Sequence, residues 1–500
     1  MTNVQPTAIF FPAPTSRYWT RSKAMNFLKV SYDVQAEILQ YLLPQELASC
    51  SATSKRMHRL CVPFLASGVI IKGEDALSFA NQTLAFCRWI QTKKSSEGTV
   101  DRCTYLRSLA LYNLREVWLQ NQPPDESLKA ALSMLTEVLA KATNLRHFSV
   151  SGFDILLATC PRIKDILSHS CGSLTSICIG ETGPGPAILR VLWKLKGVPG
   201  IHLRATSGTR EQISFMEWLR EKKLIIPSME AGIRKSKVKT CFPRTQELIL
   251  EGIAIPAALL SYLFPNIRLL IWMEGYSILM PCQWSGPRAA LKWDSLDRLM
   301  SDFLTVAHRG VFCPVRRLDL CFPRINGSIF KVPVEKFEEY LLETLQRTSP
   351  VALSVCLHTQ ASNGFYERVA RACPRLKFLE ICLAPNSKFL TPPSGQVFPE
   401  VSAADVLPAL CKGLASVQIA YMSVLFFSRD FITKDMAASI TTGIRSLQFL
   451  EVMNFQESMD LRLEKRLVWY EVKSVAGGER CVMEVDENRG KAWREYWQNQ

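Results

Sequence analysis

The sequence has few of the side-chain patterns on which enzyme chemistry depends. Only six of its 500 residues are histidine, and none lies at metal-ligand spacing from another histidine or from a pair of cysteines. The chain has no Gly-x-Ser-x-Gly motif. Its glycine-rich stretch 180–186 lacks the Gly-Lys-Ser/Thr ending of a phosphate-binding loop. These absences predict a protein that is not an enzyme and holds no cofactor or metal, although the sequence leaves a single cysteine nucleophile open.

The sequence also lacks a long uncharged run, a secretory signal and any Cys-x-x-Cys pair. Its most apolar segment, Ile253 to Met273, is interrupted by two prolines and Arg268, so no part of it is long enough to span a membrane. The sixteen scattered cysteines are expected to be reduced core thiols. The first 29 residues contain no acid, but their prolines oppose a presequence helix, so a disordered tail is expected there. We therefore predict a cytoplasmic or nuclear protein without a membrane partner.

Positive charge is in excess, with a net charge of +15 from 60 basic and 45 acidic residues. The densest basic stretch is Arg234–Lys239, preceded by Lys222 and Lys223. It has no interleaved aromatic residues and matches no nucleic-acid-binding motif. We interpret it as a solvated loop, with an acidic partner or a nucleic acid as the less favoured alternatives.

From about residue 103 one apolar phrase recurs: an apolar residue, two others, an apolar residue, one other and an apolar residue. It occurs eleven times, once in a weaker form, with a mean period of about 34 residues. Alternate residues of such a phrase lie on one face of a strand, so each phrase predicts a strand against a shared core. The phrases are Leu106–Leu111, Leu145–Val150, Leu174–Ile179, Val198–Leu203, Thr245–Leu250, Ile267–Trp272, Val315–Leu320, Leu353–Leu357, Leu376–Ile381, Leu414–Ile419 and Leu447–Val452.

Amphipathic helices are predicted between these strands, and alternating helix and strand at short range favours a parallel sheet with outer helices. A recurring unit makes this α/β array an irregular leucine-rich-repeat solenoid, with a non-repeating α/β domain as the alternative. Two long intervals, Ser207–Lys239 and Tyr276–Trp293, predict insertions. The predicted helices are 74–100, Leu128–Leu139, Ile213–Lys222, Leu296–Ala307, Val334–Leu345 and Phe365–Ala372.

Residues beside the phrase leucines are expected to point from the open face of the sheet into solvent, where a protein target could bind. Their mixed chemistry does not identify the target. The candidate target-binding residues are Tyr112, His202, Arg204, Glu251, Met273, Asp319 and Glu380, with Ser151, Gln418 and Glu451 in equivalent positions.

The last forty residues have a different pattern. Leu467–Val472 and Cys481–Val485 alternate at strand period around Ala476-Gly477-Gly478, which predicts a hairpin that caps the array. Two tryptophans and a tyrosine follow, at positions 493, 497 and 496, and we expect them to pack on this cap.

Residues 30–65 predict three short helices in a small module. Ser31 can cap the first helix, whose stripe contains Val34, Ile38 and Leu42 and is widened by Leu39. Pro44 can end this helix and open the second. The third helix is expected to begin near Thr53 or Ser54 and to end at Pro63. Helices this short bury little surface by themselves, so they need a partner in the same chain or in another protein.

This module resembles an F-box, in the form common in fungal proteins. The matching residues are Ile38–Leu42, Pro44, Glu46-Leu47, Ser54–Arg56, Leu60 and Pro63–Leu65, whereas Val30–Val34 replaces the family's usual Leu-Pro-x-Glu-Leu opening. The resemblance implies docking onto the small adaptor subunit of a cullin–RING ubiquitin ligase. The docking residues that it implies are Val34, Ile38, Leu39, Leu43, Pro44 and Leu47.

The predicted organisation places a small docking module ahead of a large recognition surface. This layout, with the resemblance, implies a non-catalytic substrate-receptor subunit of an SCF-type ligase that binds an unknown protein substrate. The alternative is an interaction scaffold whose F-box-like helices only cap the fold. The predicted segments are a disordered tail at 1–29, an F-box-like module at 30–72, a helical linker at 73–102, a leucine-rich-repeat array at 103–456 and a cap and tail at 457–500.

Overall fold

The protein divides into two compact units, Met1–Gly68 and Val69–Gln500. We describe each unit by itself, from a computed structural model of the chain. The residues that the structure describes are 27–92, 101–120, 126–169, 172–182, 195, 197–205, 242–253, 257–273, 293–303, 305–306, 311, 313–321, 324–325, 328–329, 332–358, 361–362, 364–384, 390–391, 402–427, 432–457, 463–474 and 480–500.

The first unit contains a short 3-10 turn, Phe27–Lys29, followed by helices α1 (Tyr32–Gln40), α2 (Pro44–Thr53) and α3 (Lys55–Ser67). Pro44 occupies the first turn of α2, where a missing amide hydrogen costs nothing. The Glu46 carboxylate accepts a hydrogen bond from the Leu43 amide at 2.7 Å. Ser54 caps α3, because its hydroxyl accepts from the Met57 amide at 3.1 Å.

The core of the first unit consists of Leu39, Leu47, Met57 and Cys61, one or two from each helix. A buried amide side chain joins α1 to the preceding turn. The Gln35 amide nitrogen donates to the carbonyls of residues 27 and 30, at 2.9 and 2.8 Å. This small core ties the three helices together.

Our prediction that Pro63 ends α3 is wrong, because the helix continues to Ser67. Pro63 cannot donate to the carbonyl of Arg59, four residues earlier. Val62 and Ala66 on either side of it are buried. The burial of this helix face outweighs the loss of one backbone hydrogen bond.

The second unit is built on a sheet that runs in chain order. Strands β2 to β9, β13, β14, β16 and β17 pair in parallel with their neighbours, and β1 lies beside β2. The strands are β1 (Gly68–Lys72), β2 (Ser108–Tyr112), β3 (His147–Ser151), β4 (Ser176–Thr182), β5 (Gly200–Ala205), β6 (Glu247–Glu251), β7 (Leu269–Met273), β8 (Leu296–Asp302), β9 (Val315–Cys321), β10 (Arg324–Ile325), β11 (Ser328–Ile329), β12 (Val332–Pro333), β13 (Ala352–His358), β14 (Phe378–Ala384), β15 (Leu390–Thr391), β16 (Tyr421–Phe427), β17 (Phe449–Glu457), β18 (Leu463–Ser474) and β19 (Arg480–Val485).

Apolar side chains line up across this sheet because each phrase presents its middle apolar residue at the same register. Neighbouring strands pair at Leu109, Phe148, Ile177, Ile201, Leu248, Leu270, Leu299, Leu318, Leu353, Leu379, Met422 and Leu450. All are buried. The row forms part of one continuous core with the helices between the strands.

The helices of the second unit lie between its strands or at its ends. They are α4 (Ala76–Gln91), α5 (Leu114–Gln120), α6 (Glu126–Lys141), α7 (Phe153–Thr159), α8 (Ile163–His169), α9 (Ala257–Leu263), α10 (Val334–Thr348), α11 (Phe365–Ala372), α12 (Ala403–Leu414), α13 (Lys434–Gly443) and α14 (Glu487–Asn499), with a 3-10 turn at Arg102–Tyr105. Within the described part of the chain, no helix combines the length and apolar character needed to cross a bilayer.

Several predictions fall outside the described residues. These are the disordered tail up to residue 26, the helix Ile213–Lys222, the basic stretch Arg234–Lys239, the insertion Ser207–Lys239 and the insertion Tyr276–Trp293 except for its last residue.

The helix predicted over Leu296–Ala307 is wrong, because Leu296–Asp302 forms strand β8. The spacing of Leu296, Leu299 and Phe303 fits a helix, but the first two also fit the start of the recurring phrase. Ser301 takes the third apolar position, where it is fully buried and its hydroxyl donates to the Trp272 carbonyl. A satisfied hydroxyl therefore replaces the expected leucine.

The phrase Leu414–Ile419 is also misplaced. Leu414 ends α12, and the strand is Tyr421–Phe427, whose Met422 pairs with Leu379. The correct phrase begins five residues later, at Ile419, and continues with Met422 and Val424. Both readings fit because the end of α12 is as apolar as the strand that follows.

At the end of the sheet the pairing reverses. β17, β18 and β19 are antiparallel neighbours, with Val452 opposite Val468 and Val472 opposite Val482. The segments for which the sequence predicts a hairpin therefore form β18 and β19.

Candidate functional site

The first unit exposes a cluster of apolar side chains. Of the ten large hydrophobic side chains that are exposed in the described residues, five lie between Tyr32 and Leu43. Ile38 is 43% exposed and Leu43 is 62% exposed. Pro44, which follows, is exposed as well. We name Tyr32, Val34, Ile38, Tyr41, Leu43 and Pro44 the apolar patch.

Two residues that the resemblance assigned to docking do not belong to this patch. Leu39 is 1% exposed and Leu47 is 5% exposed, and both pack in the core of the first unit. Neither side chain is available to a partner, so their assignment to the docking surface is corrected to a structural role. On α1 the buried face contains Gln35 and Leu39, and the exposed face contains Val34 and Ile38.

Tyr32 and Tyr41 were missed by sequence reasoning. Both are exposed aromatic side chains beside Val34 and Ile38, and Tyr41 donates a hydrogen bond to Glu37 at 3.1 Å. Their spacing gave a usable signal, since Val34, Ile38 and Tyr41 recur at intervals of four and three residues and so share one helix face.

Ile38 and Leu39 are neighbours on α1, and substitutions at these positions separate the docking role from the structural role. We expect Leu39→Ala to destabilise the first unit by roughly 2–5 kcal/mol, because it leaves a cavity in a small core. The matched variant Ile38→Ala should cost about 0.5 kcal/mol or less, since its side chain is already exposed. Amide hydrogen exchange of α1–α3 in the full chain measures both, and equal protection in the two variants would contradict the assignment.

The open face of the sheet, opposite the phrase leucines, contains the candidate target-binding residues. In strands β2 to β7 the structure brings Arg204 and Glu251 together at 3.4 Å across neighbouring strands. Tyr112 and Arg204 are exposed, whereas His202, Glu251 and Met273 are partly exposed. These five predicted residues therefore lie on accessible parts of this face. Ser151 does not, because it is buried and its hydroxyl accepts from the Leu114 amide at 3.2 Å.

A cysteine, a histidine and a glutamate meet on the same part of the face. Cys178 Sγ lies 3.2 Å from His202 Nδ1, and His202 Nε2 lies 3.5 Å from Glu251 Oε1. The Cys178 thiol, at hydrogen-bond distance, and the nearby Glu251 carboxylate raise the pKa of His202 to about 9, against the opposing effect of burial. Burial alone would raise the pKa of Cys178, but hydrogen bonds from His202 and Ser149 and the charge of His202 lower it overall. The arrangement favours a thiolate beside an imidazolium.

Asp319 was predicted to face solvent and is instead buried. Its carboxylate accepts from Arg298 at 2.7 Å and from Arg317 at 3.0 Å. A buried carboxylate that is paired with two guanidinium groups is not free to bind a target.

Glu380 and Glu451 were also predicted to be accessible, but helix α14 covers them. The Arg494 guanidinium donates to Glu451 Oε1 and Oε2 at 2.6 and 2.7 Å and also to Glu380. The Tyr421 hydroxyl donates a hydrogen bond to Glu451 at 2.9 Å. The Glu451 side chain is only 1% exposed. Gln418, predicted to be equivalent, precedes its strand.

Aromatic residues complete this contact between α14 and the sheet. Trp493 and Trp497 pack on a second core of Ala352, Phe378, Tyr421 and Phe449, and the rings of Trp493 and Phe449 stack at 4.2 Å. Gly490 lies so close to Trp469 that a Cβ atom would overlap the ring. The expected packing of the C-terminal tryptophans is therefore present, but on the open face of strands β13 to β17.

We compared the sequence with known families and proteins. No curated protein matches the chain. The family model for the F-box domain matches residues 27–62, which include α1, α2 and most of α3. F-box domains bind the adaptor subunits of SCF ubiquitin ligase complexes, and proteins that contain them are typically non-catalytic substrate receptors. The chain therefore carries an F-box domain in its first unit, at residues 27–62.

Proposed function

We propose that this protein is a substrate-receptor subunit of an SCF-type cullin–RING ubiquitin ligase. Its F-box domain would dock on the small adaptor subunit through the apolar patch, and its sheet would hold a target protein for modification by a separate enzyme. The protein would act by proximity and orientation rather than by chemistry of its own.

The observation that carries this proposal is the exposure of the apolar patch within the matched domain. Half of the large exposed hydrophobic side chains in the described residues fall in twelve residues of one chain segment. Large apolar side chains clustered on a surface mark a site of protein association. Because the F-box match supplies the class of partner, the adaptor is the occupant that we assign to this patch.

We propose that the second unit, which would recognise the target, is a leucine-rich-repeat solenoid. Its support is the chain-order parallel pairing of strands that share one apolar phrase, with helices between them. We infer that the target binds beside strands β2 to β7. Tyr112, Arg204 and Glu251 remain accessible there, whereas α14 covers the face at β14, β16 and β17.

Reconstitution with the purified adaptor tests the docking half. The full chain and the adaptor should elute together as a one-to-one complex in size-exclusion chromatography, and the complex should persist at high salt because apolar contacts dominate it. A folded chain that elutes separately from the adaptor would contradict the proposal and would favour an interaction scaffold whose F-box serves folding alone.

A further inference from the structure

Cys178 occupies a position that differs from that of the other cysteines on the open sheet face. It lies on β4 between Ser149 of β3 and His202 of β5, which are its register partners on the neighbouring strands. Parallel strands hold these three side chains at one level without any need for loop rearrangement. The nucleophile and its neighbours are thus fixed by the pairing of the sheet.

We propose that Cys178 is a nucleophilic thiolate built for exchange with low-molecular-weight disulfides, with His202 as its counter-ion and Glu251 as the residue that orients His202. The inference goes beyond the proposed function and does not depend on adaptor docking. It assigns a modification site to the sheet face on which the target would bind.

The geometry supplies each part that a reactive thiol needs. His202 Nδ1 is within hydrogen-bond distance of Cys178 Sγ, at 3.2 Å. The opposite ring nitrogen faces the Glu251 carboxylate at 3.5 Å. An imidazole with an anionic partner at each nitrogen is favoured in its protonated form, and that form stabilises the thiolate. Cys178, His202 and Glu251 thus stand side by side as nucleophile, base and orienting acid. This is the spatial arrangement that activates nucleophilic side chains.

Arg204 adds a second positive charge to this cluster. Its Nε lies 3.4 Å from Glu251 Oε2, and its side chain is 58% exposed. It therefore partly neutralises Glu251 and leaves a guanidinium at the surface, where an anionic disulfide such as oxidised glutathione would approach. The half-buried thiol and imidazole beside it are reachable from the same side.

Cys356 and Cys382 provide an internal contrast. They are register partners on β13 and β14, lie on the open face and are partly exposed, as Cys178 is. Cys356 has a thiol as its strand partner where Cys178 has an imidazole. The pKa of Cys356 lies well above its usual range, because its thiol is hydrogen-bonded to Cys382 and is also desolvated by burial. The same face thus contains one activated and one suppressed thiol.

The reaction is a thiol–disulfide exchange that balances without a further reagent. The Cys178 thiolate attacks one sulfur of the disulfide, a new Cys178–sulfur bond forms and the original sulfur–sulfur bond breaks. The departing sulfur leaves as a thiolate and takes a proton from water. Cys178 is oxidised and the departing sulfur is reduced, and a second thiol can reverse the step.

The test measures how fast each cysteine of the folded full chain reacts with oxidised glutathione. Adducts are located and timed by mass spectrometry of the peptides at pH 6.5. An ordinary thiol is about 1% ionised at that pH, so Cys178 should react on the order of tenfold faster than Cys356 and Cys382. Reaction of Cys178 at the same rate as these two would overturn the proposal.

The pH dependence and two variants separate activation from simple exposure. The rate at Cys178 should fall less steeply between pH 8 and 6 than the rate at Cys356, which should fall by about tenfold per pH unit. The groups that act on the Cys178 thiol are His202, Ser149 and Glu251. His147 of β3 and Arg204 of β5 lie on the same face of these neighbouring strands.

In His202→Gln the advantage of Cys178 at pH 6.5 should disappear, and Glu251→Gln should reduce it. If His202→Gln does not fold, the pH profile of the natural chain decides the question. A Cys178 rate that falls as steeply with acid as that of Cys356 would show an ordinary thiol.

Discussion

Ile38→Asp is expected to weaken binding of the adaptor by about thirtyfold or more while the chain stays folded. A carboxylate at the centre of an apolar interface would be buried without a partner, and single interface residues of this kind contribute about 2–4 kcal/mol. Ile38 is 43% exposed, so the free protein loses little by the change. The measurement is the Kd for the purified adaptor by isothermal titration calorimetry.

The chain offers a matched control in Ile70→Asp. Ile70 is 69% exposed and lies outside the matched domain, so the same substitution there tests the effect of the added charge alone. Leu43→Asp should weaken binding as Ile38→Asp does. Equal affinities for the Ile38 and Ile70 variants would show that the apolar patch is not the docking surface. Leu39→Asp is unsuitable for this purpose, because it would disrupt the core of the first unit.

Arg494→Met is expected to destabilise the end of the sheet by about 3–5 kcal/mol, because it leaves the buried Glu451 carboxylate without the cation that bonds it and removes one of the two cations near Glu380. Glu451 accepts both of its guanidinium hydrogen bonds from Arg494. Hydrogen exchange of β14, β16 and β17 in the full chain measures the loss.

Arg489→Met is the control on the same helix. Arg489 bonds Glu471 at 2.9 Å near the surface, and Lys473 also neighbours that carboxylate at 3.6 Å. An exposed pair of this kind contributes about 0–1 kcal/mol. Similar losses of protection in the two variants would contradict the role that we assign to Arg494.

The Arg494→Met loss should also depend on pH. Burial raises the pKa of Glu380 above its ordinary value of 4.5, although Arg494 opposes the shift. Removing Arg494 therefore raises that pKa further. The folded state then binds a proton more tightly than the unfolded state, so stability falls as pH rises from 4.5 through the raised pKa. The deficit of the variant should be largest at neutral pH and should shrink on acidification.

The sequence predicted the strands of the second unit better than the surfaces. Period-two apolar phrases identify a strand whatever lies around it, and most strands fall on a phrase. Two exceptions have different causes. Ser301 takes an apolar position of β8, and the apolar end of α12 comes just before the strand that contains Met422. Apolar spacing alone does not distinguish a helix end from the strand that follows it.

The candidate sites were harder to predict because they depend on long-range packing. The local sequence pattern does not distinguish Ile38 from Leu39, although Ile38 is exposed and Leu39 is buried. Trp493 and Trp497 were expected to pack on the C-terminal cap, but the sequence did not predict that they would lie on the open face of the sheet. The meeting of Cys178, His202 and Glu251 required the register of three strands, which the chain separates by dozens of residues.

Helix α14 has a consequence for how the protein is made. Neighbouring strands in an array of this kind can assemble one after another as the chain leaves the ribosome, because each contacts the next. The carboxylates of Glu380 and Glu451 are an exception, since their cation is carried by residue 494, 114 and 43 residues further along. We expect the packing of β14, β16 and β17 to be completed only after α14 has emerged from the ribosome. Until then the nascent chain would depend most on chaperones.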